Sequence, residues 1–167
     1  MLAVCFAGAL RRSELVALRL EDIAFSEQGA TIHIRKSKTD FQGIGAHIAL
    51  PNGRSLQAVS ALKDWLHAAN IIRGPVFRPV YKNRVMPRTV DPYLVSRVLK
   101  AYLKRANRDP ALYGAHSLRA GFITSAAEAG VSLERIMDHT RHVESRNVRR
   151  YVRRANLFRD HPGEAFL

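Results

Sequence analysis

Residues 143–154 read Val143-Glu144-Ser145-Arg146-Asn147-Val148-Arg149-Arg150-Tyr151-Val152-Arg153-Arg154. Tyr151 stands among five arginines and lies nine positions after His142. A phenol in such surroundings can simply pack or stack. Two shorter patterns change that reading: His116-Ser117-Leu118-Arg119 upstream, and Arg11-Arg12-Ser13-Glu14 near the start. With them, Tyr151 reads as a nucleophile aimed at a phosphate, because the fork of an arginine binds two phosphate oxygens at once. A helix is expected to carry Tyr151, with Ser145 as its cap. One straight helix from His142 to Tyr151 would turn about 900° at about 100° per residue. That places the two on opposite faces, so a break between them is expected if they converge.

The chain has 167 residues and is 47% hydrophobic, which suits one folded domain, residues 1–167, with a real core. Lys and Arg number 27 against 14 for Asp and Glu, a net charge of +13. A charge that large on a small domain points to a polyanion, nucleic acid before an anionic membrane. Cys5 is the single cysteine. It excludes an intrachain disulfide framework and a thiolate zinc site, and it fits a reducing cytosol. The apolar opening run, Met1 to Leu10, is too short to span a bilayer and reads as the buried end of a helix. The abrupt start suggests a chain cut from a longer one. A cytoplasmic, nucleoid-associated location is expected.

Two helical pieces, Met1 to Ala9 and Arg12 to Leu20, are expected to break near Gly8. Arg11 and Glu14 are three apart and can face each other, although such a pair on the surface is worth little. Thr31 to Arg35 and Ala46 to Leu50 alternate as strands, with Lys36 to Gly45 as a long hairpin loop and a further strand from about Ile23 to Ser26. Ser55 is expected to cap a helix over Leu56 to Ala69 with a stripe of Val59, Leu62, Leu66 and Ala69. Trp65 flanks that stripe and belongs to the core. Gly74-Pro75 closes the helix, and Val76 to Arg88 is expected to be loop. Asp91-Pro92 starts a helix whose buried side is Val95, Val98, Leu99, Tyr102 and Leu103. Arg97, Lys100, Lys104 and Arg105 crowd elsewhere on it. After a loop over Asn107 to Gly114, a helix from Ser117 to Ala129 stops at Gly130, and Ser132 caps a short one through Leu133, Ile136 and Met137. Neither Gly-x-x-x-x-Gly-Lys nor Gly-x-Gly-x-x-Gly occurs.

His116 and Arg119, three apart at a helix start, can point at one spot, and free backbone N–H groups there favour an anion. Each short pattern alone is weak. In the order Arg11, Lys38, His116, Arg119, His142, Tyr151, however, the chain resembles the catalytic domain of the tyrosine recombinases, the phage integrase family, over almost its whole length. That family's first block, Gly-x-Arg-x-Ser-Glu-Leu, is matched by Leu10-Arg11-Arg12-Ser13-Glu14-Leu15. Its hairpin lysine is matched by Ser37-Lys38-Thr39-Asp40, its His-x-x-Arg by His116 to Arg119, and its Gly-His with a tyrosine nine further on by Arg141-His142 and Tyr151. Arg141 departs from the pattern, standing where glycine is common, which puts the local turn in question. The family's N-terminal core-binding domain has no room in this chain.

The resemblance implies a mainly α, α+β domain with a small antiparallel sheet near the N-terminal half. It implies a site-specific recombinase or integrase acting on double-stranded DNA through a 3′-phosphotyrosine, with neither cofactor nor metal. A phenol of ordinary pKa, about 10, is a poor nucleophile at neutral pH and needs a base or a strongly positive site. By resemblance Arg11 and Arg119 would clamp the non-bridging oxygens and His142 would donate a further hydrogen bond to the phosphate. His116 would take the phenolic proton, and Lys38 would protonate the leaving 5′-oxygen. Glu14 would at most orient Arg11. The Ser-Glu spacing selects Arg11 over Arg12. The turn and Thr-Asp select Lys38 over Lys36, and the nine-residue spacing selects His142 over His139. A His139/His142 metal pair lacks a third ligand. Four protomers on DNA are implied, with residues 155–167 as the tail for exchange, while the chain alone is expected to be a monomer. The competing readings are a DNA-binding fragment without independent catalysis, a relaxing topoisomerase, and a membrane-surface protein. The last is disfavoured because no helix joins a strong apolar face to a continuous basic one.

Overall fold

A computed structural model describes residues 1–37, 43–114, 116–155 and 163. The fold is mixed and mainly helical, with a small antiparallel sheet in its N-terminal half, as expected.

Helix α1 (Leu2–Ala7) stops at Gly8, and α2 (Arg12–Ala17) starts after a turn in which Ala9 takes φ 44°. The Leu10 N–H donates to the Cys5 carbonyl at 2.9 Å, closing that turn. A Cβ on Gly8 would lie 3.0 Å from Ile48 Cδ1 and from Leu10 Cγ, so the close approach of α1 to the sheet requires glycine. The expected extension of the second helix to Leu20 does not form. Leu18 is extended, its carbonyl accepts from the Val76 N–H at 2.9 Å, and the Leu20 N–H donates to the Gly74 carbonyl at 2.9 Å. Backbone pairing with a distant segment thus replaces helical bonds, and a one-turn 3₁₀ helix, Leu20–Asp22, leads into the sheet.

Strands β1 (Ile23–Ser26), β2 (Gly29–Ile34) and β3 (Ala46–Pro51) form an antiparallel sheet in sequence order. Ile32 pairs with both Ile23 and Ile48, and Ala30 with Leu50. The two-residue alternation sends Ala30, Ile32, Ile34, Ile48 and Leu50 into the core. Helix α3 (Ala58–Ala68) buries Ala58, Val59, Leu62 and Leu66. It begins after Gln57, not at a Ser55 cap, because Leu56 is exposed and the buried stripe starts only at Ala58. It ends where Asn70 takes φ 48° and the Ile71 N–H donates to the Leu66 carbonyl at 2.9 Å, before Gly74-Pro75 is reached. Trp65 packs on the core, and its Nε1–H donates to the Val76 carbonyl at 2.8 Å.

The segment expected as loop from Val76 to Arg88 contains a hairpin, β4 (Val80–Tyr81) and β5 (Arg84–Val85). Lys82 and Asn83, both at positive φ (46° and 59°), make the type of turn whose twist suits two strands. Helix α4 (Pro92–Arg105) starts at Asp91, whose carboxylate accepts from the Tyr93 N–H at 2.7 Å. Val95 and Leu99 are its buried residues. Tyr102 was expected on that side, but it is 56% exposed and lies under the Arg105 guanidinium, 5.4 Å from its ring centre. A 3₁₀ turn, Pro110–Leu112, interrupts the next loop.

Helices α5 (Ser117–Glu128), α6 (Leu133–Thr140) and α7 (Ser145–Ala155) complete the domain. Gly130 at φ 79° follows α5, and the Ser132 hydroxyl accepts from the Arg135 N–H at 3.4 Å. Helix α7 already includes Ser145, one residue earlier than a cap there implies. The buried apolar residues fall into two clusters. The larger joins α1, α2, the sheet, α3 and the start of α4. The smaller, Ile123, Ala127, Ile136 and Val148, joins α5, α6 and α7, with Tyr151 and Val152 packed against it. Among the described residues no helix is long and apolar enough to cross a membrane.

Candidate active site

A cleft of about 210 Å³ opens where the two clusters meet. Its walls are Arg11, His116, Arg119, His142 and Tyr151, together with Ala120, Ile123 and Asn147. Five of the six residues nominated from sequence therefore converge. The sixth, Lys38, lies outside the described residues, as do residues 39–42 of its loop.

Arg11 is the residue before the first turn of α2, and its extended backbone lets Glu14 reach back to it. The Arg11 backbone N–H donates to Glu14 Oε2 at 2.8 Å, and Nη1 donates to Glu14 Oε1 at 2.7 Å and to Ser37 Oγ at 2.6 Å. Ser37 Oγ donates in turn to Glu14 Oε1 at 2.9 Å. The i,i+3 pair, which would be worth little on a surface, is part of a buried network, since the Glu14 side chain is 1% exposed. Burial alone would push the Glu14 carboxyl up. The Arg141 guanidinium and the donors on Arg11 and Ser37 outweigh it and hold the carboxyl below its ordinary value.

Arg119 occupies the first turn of α5 and is 5% exposed. Its Nη1 donates to the Ala9 carbonyl at 2.6 Å and its Nη2 to the Thr140 carbonyl. Burial, then the nearby Arg11 and Arg141, lower its pKa to about 10, so it remains a cation at neutral pH. His116, at the N-terminal end of the same helix, is exposed on the cleft wall.

The break required between His142 and Tyr151 is present. Arg141 takes φ 56° and ψ 48°, the left-handed conformation that favours glycine, and α7 starts only at Ser145. This explains the family's glycine before the histidine: the backbone turns there, and in this chain an arginine adopts the turn. His142 is held by Nδ1, 2.7 Å from Thr140 Oγ1 and 3.4 Å from Arg119 Nη2. Thr140 Oγ1 donates its own proton to the Ile136 carbonyl at 2.7 Å. Nδ1 is engaged by these two neighbours in either tautomer, which leaves Nε2 as the nitrogen for a ligand. Burial first, then Arg119, Arg11 and Arg141, lower the His142 pKa to about 4. The ring is neutral at pH 7.

Tyr151 is half-buried and packs against the smaller cluster. Arg146, Arg149, Arg150 and Arg153 line a separate surface hollow. Among the described residues the cleft walls carry no carboxylate, and Glu14 is the carboxylate that pairs with Arg11 and Arg141 and lies near Arg119. Such a site is short of negative charge and suits a phosphate. Among the described residues no group of three His, Cys, Asp or Glu could hold a metal.

Sequence reasoning missed Asn147, Ser37, Thr140 and the role of Arg141. Asn147 had a signal, since it lies one helical turn before Tyr151 on the same face. The others are set by tertiary contacts.

The chain matches the phage integrase family model over residues 1–157. It is 42% identical over 158 residues to an integrase/recombinase xerD homolog of Selenomonas ruminantium, covering 93% of this chain and 46% of that protein. It is 28% identical over 153 residues to Recombinase cre of Escherichia phage P1, covering 81% of this chain and 43% of that protein. The chain thus spans less than half the length of these relatives. In fold it is similar to XerA recombinase, with a TM-score of 0.69 at 21% identity over 90% of this chain and 49% of that one. It is also similar to XerH recombinase bound to palindromic difH substrate in a post-cleavage complex, with a TM-score of 0.71 at 18% identity over 98% of this chain and 43% of that one.

Proposed function

Because this chain belongs to the phage integrase family, we propose that it is the catalytic domain of a site-specific recombinase or integrase that breaks and rejoins double-stranded DNA. The observation that carries this reading is the convergence of Arg11, His116, Arg119, His142 and Tyr151 on one cleft.

Tyr151 Oη attacks a phosphodiester phosphorus, the bond to the 5′-oxygen breaks, and a 3′-phosphotyrosine forms. His116 accepts the phenolic proton, and Lys38 gives a proton to the leaving 5′-oxygen. Arg11 and Arg119 face the non-bridging oxygens with charge already oriented by Glu14, Ala9 and Thr140, so little reorganisation is left for the transition state. His142 donates from Nε2 once the phosphate is in place. Attack by a free 5′-hydroxyl on the phosphotyrosine reverses the bond changes and reseals the strand. The DNA is bound largely through its phosphates by the +13 chain. Four protomers act together on two duplexes, residues 155–167 link neighbours, and the protein works at the nucleoid.

The test is incubation with a nicked suicide duplex carrying a candidate attachment site, followed by a denaturing gel. A covalent protein–DNA species bearing the 3′ end supports the reading. Tight, salt-sensitive DNA binding without a covalent species would favour a DNA-binding fragment that has no catalysis of its own.

A further inference from the structure

We infer that Arg141 is a positioning residue: by clasping Glu14 across the seam between the two apolar clusters, it holds the half of the site that carries His142 and Tyr151 in register with Arg11. This rests on the catalytic reading proposed above.

The seam divides the machinery. Arg11 belongs to the larger cluster's side, whereas Arg119 on α5 and Tyr151 on α7 belong to helices that supply the smaller one, with His142 in the turn between α6 and α7. Polar and aromatic contacts cross it: Arg119 to the Ala9 carbonyl, His139 Nε2 to the Ala7 carbonyl at 2.9 Å, and Phe6 edge-on to Phe122 at 6.0 Å. Among the described residues the contact of Arg141 is the ionic one. Its Nη2 donates to Glu14 Oε2 at 2.9 Å, and the side chains are 9% and 1% exposed. Its fork also reaches the carbonyls of Ala9 and Gly8, at 3.4 Å each, and of His139 at 2.9 Å.

Arg141 occupies this place despite its backbone. A left-handed conformation is strained for a side chain, and the buried Nε has no partner. A glycine would remove both difficulties, so the guanidinium's grip on Glu14 is what its presence adds. That grip bears on both flanks. Thr140 and His142, the adjacent residues, supply Arg119's acceptor and the phosphate's expected donor. Glu14 Oε2, held by Arg141 and by the Arg11 N–H, leaves Oε1 to orient the Arg11 guanidinium.

The test compares wild type, Arg141→Gly, Arg141→Lys, Glu14→Gln and Arg141→Gly/Glu14→Gln. DNA affinity is measured alongside the single-turnover rate of covalent adduct formation on a suicide duplex. Arg141→Gly is expected to slow cleavage on the order of tenfold to a hundredfold while affinity stays within about twofold, because small misplacement of reacting groups costs rate more than binding. Lysine is expected to restore part of the rate, since it keeps the charge but not the fork. In the Glu14→Gln background Arg141→Gly is expected to add little further loss, the mark of a shared path. An unchanged rate in Arg141→Gly, or parallel losses of affinity and folding with additive effects, would overturn the inference. A wild type that gives no adduct would count against the catalytic reading, and exchange of the Arg11 backbone N–H in the free chain then decides this one. That proton, bonded to Glu14, exchanges faster in Arg141→Gly if the clasp operates; equal exchange overturns it.

Discussion

Acidification should weaken this fold through His142 in a way that glutamine at the same position abolishes. In the folded chain burial and three guanidiniums lower the imidazole pKa from the ordinary 6.5 to about 4. The neutral ring is therefore the form that the fold accommodates. Above pH 6.5 both folded and unfolded chains hold it neutral and stability is unaffected. Between pH 6.5 and about 4 the unfolded chain takes up a proton that the folded chain refuses, so stability falls as pH falls. A span from 6.5 to about 4 corresponds to roughly 3 kcal/mol at 1.36 kcal/mol per pH unit. The ring is only half-buried, and solvent screening reduces this to about 1–2 kcal/mol. For a chain of this size that is a difference in Tm of roughly 2–8 °C. The assay is thermal or urea unfolding of wild type and His142→Gln at pH 7.5 and pH 4.5. His139, whose pKa is also lowered by burial, is present in both proteins, so the difference between their pH dependences isolates His142. The same loss of stability in both proteins would refute the assignment of a buried, neutral His142 to this site. A phosphate in the cleft reverses the sign: DNA binding near pH 6 should take up a proton, seen as a buffer-dependent binding enthalpy that His142→Gln removes.

Further consequences follow from single contacts. Arg119→Ala should lower the cleavage rate by about 10²–10³-fold, the usual loss for one transition-state donor, as measured in single-turnover reactions at saturating DNA. The same change leaves the Ala9 and Thr140 carbonyls without that donor, so its melting temperature should also fall, whereas Arg12→Ala should leave both quantities nearly unchanged. Asp91→Ala removes the cap on α4 and should cost about 1 kcal/mol in urea unfolding, with Asp91→Asn close to wild type. DNA affinity should fall steeply with salt, with a log–log slope of about −0.9 per phosphate neutralised, and a salt-insensitive constant would contradict phosphate-dominated binding.

Local rules made much of this fold readable. The i,i+3 spacing of His116 and Arg119, the Asp91-Pro92 helix start, and the alternation in β2 and β3 each depend on a few neighbouring residues. The need for a break between His142 and Tyr151 was legible from helical geometry alone. Its means was not, because the left-handed turn falls on an arginine, a residue with no intrinsic preference for it. Helix α2 ends early because Leu18 and Leu20 pair with Gly74 and Val76, more than fifty residues away. The β4–β5 hairpin escaped notice because Lys82-Asn83 carries no glycine. The facing of Arg11 and Glu14 followed from their spacing, but the burial of Glu14 did not, because its third partner, Arg141, lies 127 residues further along the chain. The network around the site depends on contacts of that range, whereas the site's residue types and spacing do not.

The central claim is that Tyr151 is the nucleophile. Digesting the adduct from a suicide duplex and sequencing the DNA-linked peptide by mass spectrometry tests it most directly. A 3′-phosphate on Tyr151, in the peptide containing it, and no adduct from Tyr151→Phe are the expected results. A phosphate linked to any other residue, or an adduct that persists in the phenylalanine variant, would contradict it.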